Sequence, residues 1–180
     1  FDFNYDCCDS TELNGFTIRN GYDQEGAALF FLGGIDSSTV IKNCVFENCI
    51  VTGSNKGIIH LDQSSPTIIN CTFVGNSGNG NSDQSLIHFY YSNSILKNNL
   101  MWGNDVTDEG SLNIIVNVES QPILEYNDIE NSEGWHSIIE NGVGNIDADP
   151  LFVDSNNGNF NLQWGSPCID SGDPASPLDP

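Results

Sequence analysis

Three histidines occur in the chain, and two of them, His60 and His88, stand 28 residues apart. Each closes a string of one pattern, GIIH and SLIH, which reads as a short strand with Ile59 and Ile87 turned inward and the imidazole turned outward. Tyr90 falls on the same face. If segments 28 residues apart lie on one another, this row could hold a sugar ring, or supply half of a transition-metal site. No Cys or carboxylate follows at ligand spacing to complete such a site, and plain stacking on a strand face is the competing use.

A second group is acidic. Asp147, Asp149 and Asp154 in NIDADPLFVD, with Asp170 and Asp173 nearby, are hard oxygen donors of the kind calcium takes, although the spacing is not that of an EF-hand. The competing use is an Asp-Pro turn in which the carboxylate caps its own backbone. With 25 Asp and Glu in the chain, some pair falls within catalytic distance by chance, so acidic pairs alone do not mark a glycosidase. A uronate lyase needs a cationic base, and the cations are only Arg19, Lys42, Lys56 and Lys97. Lys42 and Lys97 share one outward column with Asn14, Ile69 and Glu125, where Lys97 pairs loosely with Glu125. No nucleophile string accompanies the histidines in the manner of Ser-His-Asp or Cys-His catalysis. The chemistry calls for no cofactor, with calcium the one ion the carboxylates could hold.

The formal net charge of −21 and pI of about 4.1 argue against nucleic acid and anionic membrane as partners, and are compatible with neutral glycans and divalent ions. No apolar run is long enough for a membrane-spanning helix. A chain of 180 residues that is 38% hydrophobic suits one domain with a continuous core.

What would position these residues is a repeat. The strings LNGFTIRNG, KNCVFENC, INCTFVGN, KNNLMWGN and EYNDIENS align on Ile18, Phe46, Phe73, Met101 and Ile129, in steps of 28, 27, 28 and 28. A second column is Phe16, Cys44, Cys71, Asn99 and Asn127. A third is Gly15, Asn43, Asn70 and Asn98, broken at Tyr126. The segments ALFFLGG, GIIHLDQ, SLIHFYY and NIIVNVE repeat in the same step through Phe31, Ile59, Ile87 and Ile115.

One coil of a parallel β-helix per repeat explains the period, because equivalent residues then stack at the strand spacing of about 4.8 Å. The apolar columns become inward ladders, and the Gly/Asn column becomes a turn in the left-handed region. Cys44 and Cys71 then read as a buried thiol ladder rather than a disulfide, since stacked Cβ atoms sit farther apart than the roughly 3.8 Å a bridge prefers. Cys7, Cys8, Cys49 and Cys168 are not paired by sequence. NCT at Asn70 is formally a glycosylation acceptor, but the repeat puts it in a tight turn beside the core. Residues 1–130 are expected to form about five coils, and 131–180 an irregular C-terminal module of the same domain.

The strings ELNGFTIRNG, SSPTIINCTFVGNS, ILKNNLMWGN and GNIDADPLFVDSNNGNFNLQWGSPCIDSGDP resemble secreted bacterial right-handed parallel β-helix repeat proteins of the pectate-lyase-like superfamily. The last resembles the module that closes the coil in large surface-anchored members. The resemblance implies a right-handed β-helix and an extracellular or cell-surface setting. The GGG-type string of the family is reduced to Gly33 and Gly34, displaced. The Asn-Thr-Asp, Asp-Asp, Gly-His-Gly and Arg-Ile-Lys strings of its hydrolases are missing from the chain. The expectation is a non-enzymatic structural or adhesive protein with two open ends, able to stack end to end into a filament. The alternatives are a carbohydrate-active lyase or hydrolase, and a module binding glycan through His60, His88 and Tyr90.

Overall fold

A computed structural model describes residues 11–79, 84–105, 119–131 and 142–176, together with the backbone of 2–3 and 114–116. The chain opens with β1 (Asp2–Phe3), β2 (Glu12–Asn14), β3 (Thr17–Arg19) and the short β4 (Tyr22–Asp23). A second coil repeats the path as β5 (Gly26–Leu32), β6 (Val40–Lys42), β7 (Val45–Glu47) and β8 (Ile50–Val51). A third follows with β9 (Gly57–Asp62), β10 (Thr67–Ile69), β11 (Thr72–Val74) and β12 (Ser77–Gly78). Next come β13 (Ser85–Tyr90), β14 (Ile95–Lys97) and β15 (Leu100–Trp102), then β16 (Ile114–Val116), β17 (Ile123–Glu125) and β18 (Asp128–Ile129).

Like pairs with like. The long strands form one five-stranded sheet, β1-β5-β9-β13-β16, and the short ones form two more, β2-β6-β10-β14-β17 and β3-β7-β11-β15-β18. All these pairings are parallel, so the fold is a parallel β-helix. Among the described residues no helix is long and apolar enough to cross a membrane.

Strands are short because left-handed residues end them. Gly15, Asn43, Asn70, Asn98 and Tyr126, with φ between 52° and 77°, make the corner after the first short strand. Asn20, Asn48, Gly75, Gly103 and Asn131 make the next, and Gly33, Gln63, Tyr91 and Glu119 the third. Gly and Asn hold this backbone at least cost, which is why they recur. Tyr126 was expected to break its column, yet it keeps the same conformation with φ 54°. Its ring lies over Gly144, where a Cβ would stand 2.4 Å from a ring carbon.

The ladder through Ile18, Phe46, Phe73, Met101 and Ile129 is in register as expected. Phe46 and Phe73 stack with centroids 4.7 Å apart, and the last four members are fully buried. The ladder in the long sheet differs from expectation at both ends. Leu29, not Phe31, lies on Ile59, and Ile114, not Ile115, follows Ile87. Phe31 instead tops a second inward ladder with Leu61 and Phe89. The reason is loop length: ten residues lead from Phe31 to Ile41, but seven from Leu61 to Ile68 and from Phe89 to Leu96. A fixed period overlooks such compensating changes.

The C-terminal module, expected from residue 131, packs against the coil. Residues 142–149 lie on the last rung, where Tyr126 N–H bonds the Val143 carbonyl at 2.8 Å and Ile129 N–H the Ile146 carbonyl at 2.9 Å. Part of the C-terminal module thus lies along the edges of β17 and β18. Beyond it, β19 (Phe152–Asp154) and β20 (Asn159–Leu162) form an antiparallel hairpin pinned by an edge-to-face Phe152–Phe160 contact.

Candidate functional site

His60 and His88 pair in register, as their spacing implies, but they are not at the surface. They are 2% and 3% exposed, and Ile58 and Leu86 beside them on the same face are fully buried. The long sheet is thus covered on both sides. The sequence signal was the nearly unbroken apolar runs GIIHL and SLIHF, which mark a strand buried on both faces rather than an alternating one.

The rings are parallel within 12°, their centroids 4.7 Å apart, and the two Nδ1 atoms lie 3.0 Å from each other. One Nδ1 must carry a proton and the other a lone pair, so at most one of the two rings is charged in this geometry. Burial, then His88 and Lys56, lowers the His60 pKa to about 3. Burial and Lys56 lower that of His88 to about 4, against Asp62. Tyr90 is separated from the pair in setting: it is 37% exposed and meets the half-exposed Tyr91 edge to face at 4.7 Å. His136 lies outside the described residues.

The cysteines belong to a larger device. In the later coils the residue after the left-handed one turns inward at these corners, giving Cys44, Cys71, Asn99 and Asn127 in one column and Cys49, Asn76 and Asn104 in another, whereas Phe16, expected at the head of the first column, is 57% exposed. Asn99 Nδ2 donates to Ile68 O at 3.0 Å and to Asn127 Oδ1 at 2.9 Å, while its Oδ1 accepts Cys71 N–H at 2.9 Å. Asn127 repeats this on Asn145, so the ladder extends into the closing residues. Cys71 keeps the pattern with a thiol, Sγ to Ile41 O at 3.7 Å and Ile69 O at 3.3 Å. Its pKa is held far up by the adjoining Cys44 and by burial, which leaves it an unreactive thiol. Cys44, Cys49 and Cys71 are free and buried. A third, serine ladder runs through Ser64, Ser92 and Ser120, where Ser92 N–H bonds Ser120 Oγ at 3.1 Å. Sequence reading found the first column only; the second and third were legible as GN, GN and as QS, YS, ES at matching offsets. Among the described residues Ser94 Oγ is the one buried side-chain polar atom without a partner.

The acidic candidates are engaged locally. Asp149 Oδ1 accepts Leu151 N–H at 2.9 Å, the backbone cap that competes with calcium, and Asp154 Oδ2 accepts Asn157 Nδ2 at 2.8 Å. Among the described residues no three His, Cys, Asp or Glu side chains are grouped to hold a metal. Asp128 is the buried carboxylate: its oxygens take Ala148 N–H at 3.0 Å and the Cys168 thiol at 3.0 Å. Burial raises its pKa, and burial with Asp128 raises that of Cys168 to about 12.

A further concavity has no signal in the repeat. Residues 168–176 run back along the corner of Asn43, Asn70 and Asn98 and wall a cleft of about 800 Å³. Lys97 Nζ is 2.6 Å from Asp173 Oδ2 and 3.5 Å from Glu125 Oε2, so the expected Glu125 pair exists beside a closer one. Lys42, in the same column, pairs with Glu12 at 2.9 Å.

Fold and side-chain geometry together define a parallel β-solenoid. Compared with protein-family models, with curated proteins and with solved structures, the chain matches none.

Proposed function

We propose that the chain is a non-enzymatic structural module of an extracellular or cell-surface protein, a stiff β-helical spacer of the adhesive or fibre-forming kind. One observation carries this reading. Among the described residues, His60 and His88 are engaged with each other and Cys71 with backbone carbonyls, while Asn99 and Asn127 join the same coils. A general base or nucleophile has to reach its substrate, and these groups face one another inside the protein. Pectin, alginate and neutral glycans, each with and without calcium, are expected to survive prolonged incubation with the protein unchanged in chain length. New reducing ends or unsaturated uronates that vanish on mutation of one carboxylate would establish an enzyme instead.

A second reading, neutral-glycan binding, is favoured by the exposed edge-to-face pair Tyr90–Tyr91, since exposed aromatic rings offer the apolar faces of sugars a platform. Retention on any neutral glycan of the same panel, lost on replacing both tyrosines by alanine, would establish it.

Self-association is proposed at the other end. Among the described residues no strand pairs with the outer edge of β2 or β3, and Phe16 beside them is 57% exposed. A rung of this kind can dock on the opposite end of a second copy, and a head-to-tail contact of that sort extends into a filament. Electron microscopy at high concentration is expected to show rods of increasing length; monodisperse short particles would overturn this mode of assembly.

A further inference from the structure

The Lys-Asn corner that holds residues 168–176 occurs twice, and among the described residues only one copy carries a bound turn. At the occupied copy, Asp173 places its carboxylate on Lys97 Nζ at 2.6 Å and donates its N–H to Asn98 Oδ1 at 2.9 Å. Asn98 Nδ2 in turn donates to Ser176 Oγ at 3.1 Å. The bound segment is a tight turn, with Ser176 N–H on the Asp173 carbonyl at 2.9 Å, Pro174 at the position whose φ it presets, and Ala175 N–H capped by Asp173 Oδ1 at 2.9 Å. One Lys-Asn corner therefore reads an Asp-Pro-x-Ser turn by one charge and two amide contacts.

Two rungs away the chain repeats that corner. Lys42 and Lys97 both align on Ile69 in the sheet register, and Asn43 follows with φ 52° against 54° at Asn98. Lys42 keeps 34% of its side chain exposed. Asn43 is exposed and lines the same 800 Å³ cleft; its Nδ2 donates to Asn14 Oδ1 at 2.9 Å and its Oδ1 receives a long 3.4 Å bond from Asn70, which leaves the second Nδ2 hydrogen and a lone pair of Oδ1 for a ligand. Glu12 neutralises Lys42 as Glu125 partly neutralises Lys97, yet Lys97 still takes a second carboxylate.

We propose that Lys42 and Asn43 form a docking site for an Asp-Pro-x-Ser turn presented by a partner protein. The occupant is identified by the chemistry already bound at the equivalent corner: a carboxylate for the ammonium, a backbone N–H for the amide oxygen and a hydroxyl for the amide nitrogen. The net charge of −21 opposes an acidic peptide at long range, so recognition rests on close contact and is measured at physiological salt, where screening extends over about 8 Å. The site is independent of whether the protein is a spacer or an enzyme.

The probe is the synthetic, end-blocked peptide IDSGDPAS, the sequence of residues 169–176, titrated into the full chain by calorimetry. Saturable binding at one site per chain is expected. Lys42→Met should weaken it about tenfold or more, the worth of a charge-assisted hydrogen bond. Asn43→Gly should weaken it too while sparing the corner, since Gly15 already holds that column with φ 77°. Both variants change exposed side chains, and their unfolding midpoints check that the coil is intact. No saturable binding, or binding indifferent to Lys42→Met, would overturn the proposal. Binding lost on Lys97→Met instead would mean that the peptide displaces the chain's own turn, and would overturn it as well. A concentration-dependent dimer abolished by Lys42→Met would seat a second copy there and overturn the assignment to a partner protein.

Discussion

Replacing Asn127 by alanine is expected to lower the unfolding free energy by about 3–5 kcal/mol, among the largest effects of any polar substitution in the chain. Asn127 is fully buried and engages both ends of its amide twice. Its Nδ2 donates to Leu96 O and Asn145 Oδ1, each at 3.0 Å, and its Oδ1 accepts Asn99 N–H at 3.0 Å and Asn99 Nδ2 at 2.9 Å. Alanine leaves a backbone N–H, a carbonyl and two amide atoms short of partners where water does not reach, and each such orphan costs about 1–3 kcal/mol. It also cuts the link between the coils and the residues that close them. Asn127→Cys should cost distinctly less, because cysteine already serves this column at Cys71, bonding carbonyls of its own rung and the one before. Equilibrium denaturation of both variants checks this. If Asn127→Ala cost no more than Asn43→Gly, whose amide is exposed, the buried ladder would not be what joins the coils.

The period was legible because in-register stacking writes it into the sequence. Ile18, Phe46, Phe73, Met101 and Ile129 repeat because each must meet a like neighbour, and Asn43, Asn70 and Asn98 because few residues hold a left-handed corner. What was not legible depends on packing between elements. The register of Phe31 hinged on a longer loop, and the burial of His60 on coverage of the outer face, which a period cannot report. The closing residues were hidden for another reason: Asn145 stands 18 residues from Asn127, off the period, although it occupies the next place in the same ladder. The Lys97–Asp173 contact spans a stretch with no repeat to announce it. The candidate residues were therefore found more reliably than their surroundings, and it is the surroundings that turn His60 and His88 from a binding face into an internal joint.

That joint makes stability depend on pH in a defined window. In the unfolded chain both histidines take up protons below about pH 6.5. In the folded chain burial holds them neutral down to about pH 4 for His88 and about pH 3 for His60. Between these limits the unfolded state binds more protons, so stability falls as the pH falls. The contribution is whole above pH 6.5, erodes below it, and is gone near pH 3, with a total on the order of 8 kcal/mol. Charging both rings at a separation of 4.7 Å adds repulsion to desolvation, which favours abrupt opening of the long sheet over gradual loosening. The carboxylates that pair with lysines act lower, because Glu12 and Asp173, held down by Lys42 and Lys97, lose their contribution only as the pH drops below the ordinary carboxylate range. Asp128 acts in the opposite sense, its burial favouring the protonated form. Comparison with a variant lacking both rings therefore separates their contribution from that of the other groups that titrate between pH 6.5 and 5. The test is a double variant, His60→Ile with His88→Ile, whose new side chains match Phe30 and Ile115 at the ends of the same column. Its denaturation midpoint should be nearly flat from pH 7 to 5, where that of the parent declines. A parent midpoint that is itself flat over this range would mean that the rings protonate without opening the sheet, and that their stacking is not what holds β9 to β13.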